Sequence, residues 1–244
     1  MSVKSSLYRN LLIGLFIAAS VCPQKILAWW VPNKAFAEIG WFATHQGKSQ
    51  HVDTEGLIGD DFSVKSATDQ NLMIGVGYYF NEIYRCPLNL LYGINAFYLA
   101  PTKVRGRVTK EALFKNLSYH YSCTNYPVYF ATKLLLYSDC LYEIVLDVGV
   151  GPNIINTWGF KEKSLDGGIT IPDRNIFSGK TSVTFSAMVG LGWRINVIRG
   201  CSFNLGYRFF YLGEGRFEKN NGHLKNTLKT GNSYANAVYI STPI

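Results

Sequence analysis

"GLGWRINVIRGCSFNLGYRFFYLG", residues 190–213, decides the fold. It reads as two aromatic, strand-like runs, yet each carries an arginine, Arg194 or Arg208, in an otherwise apolar context. Alternation resolves the conflict, because successive side chains of a strand point to opposite faces. From Val183 to Ile195 the odd positions are Val183, Phe185, Ala187, Val189, Leu191, Trp193 and Ile195. The even positions are small or polar and end in Arg194. In the next run Phe203, Leu205, Tyr207, Phe209 and Tyr211 share one face, and Arg208 lies on the other. Each arginine therefore sits on the face opposite the apolar one.

The same period recurs along the chain. Ala35–Thr44, Gln70–Phe80, Leu88–Tyr98, Leu141–Gly151 and, less regularly, Tyr234–Ser241 each pair an apolar face with a small or polar one. A further run, from about Tyr119 to Leu136, is interrupted by Pro127, which in a strand demands an edge, a bulge or a local break. That makes eight runs of about ten residues. Short connectors at 81–87, 137–140 and 196–201 alternate with long polar ones at 45–69, 101–118, 153–181 and 212–231. Strands of this length, linked by short and long connections in turn, predict an all-β, antiparallel up-and-down, eight-stranded transmembrane β-barrel with its short turns in the periplasm and its long loops outside.

Composition agrees. Charged residues make up 16% of the 244 and aromatics 15%, with 23 glycines, a mixture that suits pleated, half-buried surfaces. The N-terminus carries Lys4 and Arg9 ahead of an apolar run from Leu11 to Cys22, too short to span a bilayer as a helix and matched to a secretory signal. Residues 1–28 are read as a signal peptide cleaved after Ala28, and 29–244 as the barrel domain. Without Lys4, Arg9 and Lys25, 21 basic residues face 16 acidic ones, a net charge of +5. Cys86, Cys123, Cys140 and Cys201 are scattered and show no metal-ligand spacing, so no metal or cofactor is expected, and the thiols read as buried or partly paired.

If the apolar faces meet lipid, the opposite faces line the lumen. The inward set then holds Glu38, Lys133, Glu143, Asp147, Arg194 and Arg208. An eight-stranded interior is about wide enough for side chains to fill, and single buried charges are costly, so the six are expected to pair into a polar plug. Trp41, Tyr78, Tyr98, Trp193 and Tyr211 fall near strand ends on the apolar face, where interfacial aromatics belong. The 101–118 connector carries Lys103, Arg105, Arg107, Lys110 and Lys115 against Glu111, net +4. The 45–69 connector carries Lys48 and Lys65 against Asp53, Glu55, Asp60, Asp61 and Asp69, net −3. The basic loop is a candidate for lipopolysaccharide phosphates, host polyanions or its acidic neighbour.

"GVGYYF", "GLGWRINVIRG" and "FNLGYRFFYLGEG", and above all the phrase from Gly206 to Gly213, resemble the strand–turn–strand phrases of the small eight-stranded outer-membrane barrels, the superfamily of OmpA-type transmembrane domains, OmpX and opacity proteins. The resemblance implies an outer-membrane location and, at the C-terminus, a final aromatic; this chain ends "YISTPI" instead.

The expected role is non-catalytic: a monomeric barrel with a structural or adhesin-like surface role, in contact with outer-membrane lipids and lipopolysaccharide, with a possible host or envelope ligand at its loops and no nucleic acid. A narrow porin-like channel for small solutes is the alternative. A more distant one is a lipid A-modifying hydrolase, because "HYSCTN" places His120 and Ser122 two apart on one strand face, an arrangement that resembles the His-x-Ser of outer-membrane lipid A deacylases.

Overall fold

A computed structural model describes residues 35–85, 88–111, 113–138, 142–172, 176–198 and 201–244. The segment read as a signal peptide lies outside the described residues, as do Cys86 and Cys140. The strands are β1 (Ala35–His45), β2 (Gln50–Val52), β3 (Asp60–Ser66), β4 (Thr68–Arg85), β5 (Leu88–Lys110), β6 (Phe114–Ser138), β7 (Tyr142–Ser164), β8 (Phe177–Ser178), β9 (Lys180–Ile198), β10 (Cys201–Arg216), β11 (Glu218–Lys219) and β12 (Lys229–Pro243). Eight of them close into an antiparallel ring in the order β1, β4, β5, β6, β7, β9, β10, β12 and back to β1. The seam is formed by β12 against β1, from Phe36↔Pro243 to His45↔Tyr234.

Closure satisfies the backbone ladder on every ring strand, the condition for crossing hydrocarbon. The outward residues are those that alternation places on the apolar faces: Ile39, Ile74, Val76, Ile94, Val128, Phe130, Val148, Val150, Val189, Leu191, Leu205 and Val238 are all exposed. The outward face of β9 alone runs apolar from Val183 to Ile195, about 30 Å along the barrel axis at ordinary strand rise and tilt. Such a belt is stable only under lipid. Among the described residues no helix is long and apolar enough to cross a membrane; the strands do the crossing.

Pro127 lies inside β6 with its side buried, opposite Asn153 of β7. The β5–β6 register is the same on both sides of it, from Ala96↔Val128 to Leu99↔Asn125. The proline thus gives up its own ladder bond without shifting or breaking the strand.

The long polar loops are where the structure departs from the sequence reading. Residues 101–118 form no loop: β5 runs to Lys110 and β6 begins at Phe114, so a tight hairpin stands well above the belt. Likewise β7 continues to Ser164, and 45–69 contains β2 and β3, the latter pairing with β5 from Asp60↔Lys110 to Ser66↔Arg105. The physical reason is an inversion of polarity. Beyond the membrane the surroundings are water, so a strand wall turns its polar face outward and its apolar face inward. Thr102, Val104, Gly106 and Val108 point in, alternating with Lys103, Arg105, Arg107 and Thr109, and on β6 Leu117, Tyr119, Tyr121 and Cys123 point in.

Val104, Val108, Leu117, Tyr119, Tyr121 and Cys123 among them join Val52, Phe62, Ile176, Phe177, Phe217, Leu224 and Leu228 in a buried cluster that fills the extracellular end. The strands and loops feeding it are tied together by Glu55 N–H to His223 O (2.8 Å), Lys225 N–H to Asp53 O (2.9 Å) and Gly47 N–H to Thr230 O (2.7 Å). A second buried cluster, including Phe42, Met73, Phe97, Leu99, Tyr129, Met188, Phe210, Leu212 and Tyr239, fills the lumen within the membrane.

Candidate functional site

Below the inner aromatic cluster the lumen is crossed by charge. Arg208 of β10 is 1% exposed and donates one guanidinium nitrogen to Glu38 of β1 and the other to Asp147 of β7, at 3.2 Å. Lys133 of β6 is the direct cross-strand partner of Asp147, with Nζ 3.8 Å from Oδ1. Two carboxylates and two cations thus form one neutral cluster, the arrangement that makes burial of four charges tolerable. Aromatic rings flank it: the Arg208 guanidinium lies 4.3 Å from the Tyr239 ring centre and 4.8 Å from that of Phe97, and Lys133 Nζ lies 4.6 Å from that of Tyr79.

Local sequence makes room for this contact. Gly190 of β9 is the cross-strand partner of both Asp147 and Arg208, so the two charged side chains meet across a residue that has none. A Cβ at that position would lie 3.3 Å from Arg208 Nε. Nearer the periplasmic end Arg194 donates to Glu143 at 2.9 Å and to Asn204 Oδ1 at 3.3 Å, and Asn204 donates to Ser241 at 3.1 Å. The six charged residues expected inside therefore form two groups: Glu38, Lys133, Asp147 and Arg208 deeply buried, Glu143 and Arg194 half-buried at the mouth. A cavity of about 50 Å³ lined by Phe36, Tyr79, Lys133, Arg194 and Asn204 lies in this lower part of the lumen.

Sequence reading missed what stands above the charges. Tyr129 and Ser186 share a hydrogen bond at 2.6 Å, and Asn153 donates to Asn125 Oδ1 (2.9 Å) and to Leu212 O (2.8 Å). Ser186 was legible as inward by parity, but Asn153 had been read as the start of the 153–181 connector, and the uncharged side chains carried no signal that they would meet.

The five aromatics read as interfacial fall into two girdles. Trp41, Tyr98 and Tyr211 stand at the upper edge, with the Tyr98 ring 5.4 Å from that of Tyr126; Tyr78 and Trp193 stand at the lower edge, where Tyr78 and Phe80 are edge to face at 5.5 Å.

The basic stretch becomes a wall. A β-bulge on β5 between Leu99 and Thr102 shifts side-chain parity, so that Lys103, Arg105 and Arg107 point outward, where Asn95, Phe97 and Leu99 below point inward. A second bulge, on β7 between Trp158 and Lys161, turns Phe160 into the cluster and aims Lys161 and Lys163 outward. Its left-handed Gly159 has φ of 68°. Across three strands the outward rows read Arg107–Ser118–Lys163 and Arg105–His120–Lys161, and Lys65 is exposed at the β3 bulge beside Arg105. Sequence reading assigned Lys65 to the acidic loop and did not single out Lys161 or Lys163. Lys110 and Lys115 lie apart from this wall. Lys110 is opposite Asp60 of β3 in the acidic segment, and Lys115 is exposed near the tip.

His120 sits in the middle of the wall, outward and exposed. Partial burial and the cations Lys161, Lys103 and Arg105 hold its imidazole below the usual histidine range. Ser122, two residues on, is only 4% exposed and lies beside its cross-strand partner Trp158. The charges that act on His120 are thus cationic, whereas a nucleophile-activating base is oriented by a carboxylate.

Comparison with known proteins places the architecture. No family model matches the chain, and no curated protein matches it. Among solved structures it is similar to the outer membrane protein OprG from Pseudomonas aeruginosa, at 13% identity over 86% of this chain and 95% of that one, with a TM-score of 0.50. It is also similar to Neisserial surface protein A, at 14% identity over 86% and 99% and a TM-score of 0.39. The outer membrane enzyme PagL matches at 11% identity over 85% and 99%, with a TM-score of 0.39. With the closed ring, the lipid belt and the likeness to OprG together, the chain has the fold of the small eight-stranded barrels of the bacterial outer membrane, and that membrane is its place.

Proposed function

We propose that the protein is a closed barrel with a structural and surface-contact role, and that solute transfer is not its function. One observation carries the reading: the Glu38–Arg208–Asp147–Lys133 cluster spans the lumen, with packed aromatic residues above it and a second apolar cluster at the extracellular end. Water or a small solute would have to displace four mutually paired charges and two hydrophobic plugs in succession.

The extracellular end supports the contact role. Strands project past the membrane as a braced platform whose tips present Leu57, Ile58, Leu113, Phe114, Ile169 and Ile171 to solvent. The tips are tied to one another by Ile58 N–H to Glu111 (2.9 Å), Leu165 N–H to Asn116 O (2.8 Å) and Asn116 to Thr170 (3.4 Å). Exposed apolar side chains on an ordered frame suit contact with another macromolecule. The role is non-catalytic; Ser122→Ala leaves lipid A acylation unchanged on this reading.

Planar-bilayer recording of the refolded protein tests it. The expected record is flat, without stepwise openings; reproducible single-channel steps would replace this reading with that of a narrow channel.

A further inference from the structure

We infer that the outer wall of β5, β6 and β7 is a binding surface for the phosphate groups of lipopolysaccharide in the outer leaflet. Six exposed cations, Lys65, Lys103, Arg105, Arg107, Lys161 and Lys163, stand on one face with His120 among them. Directly opposite residues of an antiparallel pair have Cβ atoms about 5 Å apart, so Arg105 and Lys161 flank His120 within reach of a single phosphate. Like charges so close repel one another, and an anion between them relieves that cost.

Position selects the source of the phosphate. The wall is the upward continuation of the lipid-facing surface, above Tyr98, Tyr126 and Trp158 on the same three strands. Lys103 and Arg107 lie five and nine residues beyond Tyr98, about 10 to 25 Å above the upper girdle at ordinary strand rise and tilt. That is the height of lipid headgroups and the sugars attached to them. The surface faces sideways into the leaflet, where a soluble polyanion approaching from outside would first meet the tips.

The neighbouring acids are turned to other duties. Asp69 accepts the Lys103 backbone N–H at 2.7 Å, Asp61 holds His51 at 2.7 Å, and Asp60 and Glu111 meet at the tip, where Glu111 N–H donates to Asp60. Both bulges serve the same arrangement, since without the parity change on β5 its three cations would point into the apolar cluster.

The test uses full-length protein refolded in zwitterionic micelles, with bisphosphorylated lipid A and chemically dephosphorylated lipid A as probes. Lys103→Gln/Arg105→Gln/Lys161→Gln is expected to weaken binding of bisphosphorylated lipid A at least tenfold. Removing the lipid's phosphates should weaken binding to the unaltered protein by a similar factor. Lys115→Gln/Lys225→Gln, which neutralises exposed cations elsewhere, should leave it within twofold. Heat-dependent gel mobility checks that each variant is folded, and Arg105→Gln/Lys161→Gln stands in, with a smaller loss expected, if the triple variant is not. Unchanged lipid A binding by a folded wall variant overturns the inference, and so does equal weakening by the Lys115/Lys225 variant. Heparin serves as a soluble polyanion control, and loss of its binding alone, with lipid A binding retained, also overturns the inference.

Discussion

Arg208 and Glu38 are ion-paired inside the barrel although 170 residues separate them in sequence and β12 lies between their strands. Each is 1% exposed at the side chain. The pair therefore has no access to bulk water, and its energetics are those of a buried network. Removing one member strands the other's charge, whereas removing both leaves Lys133 and Asp147 still balanced.

Arg208→Met is accordingly expected to destabilise the barrel by about 3–5 kcal/mol, the usual cost of an uncompensated buried charge. Arg208→Met/Glu38→Gln should recover much of that loss. Urea unfolding in micelles, followed by tryptophan fluorescence and by gel mobility, measures both. A double variant no more stable than the single one would show that the pair is not the source of the loss.

The membrane-embedded half was legible because lipid imposes one rule on every strand, apolar out and polar in, and period-2 alternation reports it directly. Ile39, Val76 and Val189 were readable as outward, and Glu38, Asp147 and Arg208 as inward, from parity alone. Register was not readable, so the sequence could not say that Asp147 meets Arg208 across Gly190. The extracellular half was misread because the rule inverts in water. "TKVRGRVTK", residues 102–110, alternates as well as any membrane run, but its polar face carries three cations and so resembled a loop. Bulges added a second obstacle: each changes parity within one strand and leaves little trace in sequence. Gly159 and Pro101, which lie within the β7 and β5 bulges, are the residues that hint at such places.

The β5 bulge makes a sharp prediction. Deleting Ala100 removes its extra residue and restores the lower parity upward, which would turn Lys103, Arg105 and Arg107 into the cluster of Val52, Phe62 and Tyr119. Burial of three unpaired cations is not compatible with that packing. The deletion variant should fail to reach the heat-shifted, folded form on an unboiled gel, while Ala100→Ser, which keeps the count, should reach it.

Gly159 tests the second bulge more gently. Its φ is 68°, and a Cβ placed on it would meet nothing within 4 Å, so the obstacle to substitution is backbone conformation alone. Gly159→Val should cost about 1–2 kcal/mol, measured by the same urea titration, and Gly159→Asn distinctly less. Equal losses for both would point to a cause other than the left-handed backbone.

His51 couples the β2–β3 hairpin to pH. Its Nδ1 lies 2.7 Å from Asp61 and its Nε2 lies 2.9 Å from Ile58 O, and the bond to Asp61 raises its pKa above the ordinary histidine value of 6.5. The protonated form is therefore the one the fold favours. Its stabilising contribution is fully present below pH 6.5 and fades as pH rises through the raised value. Carbon-13 NMR of labelled His51 should show a midpoint above 6.5 that Asp61→Asn brings down, and hydrogen exchange in residues 50–66 should quicken over the same interval beyond its intrinsic pH dependence.

His120 should behave in the opposite sense. Partial burial and the flanking Lys161, Lys103 and Arg105 depress its pKa, so the folded state favours the neutral ring. The associated stability is present above pH 6.5 and is lost as pH falls through the depressed value. The NMR midpoint of His120 should lie below 6.5, move upward in Arg105→Gln/Lys161→Gln, and move upward again when salt rises from 50 to 500 mM, since the screening length of exposed charges falls from about 14 Å to about 4 Å over that range. A midpoint indifferent to both changes would mean that burial alone sets it, and that the cations of the wall lie too far from the ring to act on a shared anion.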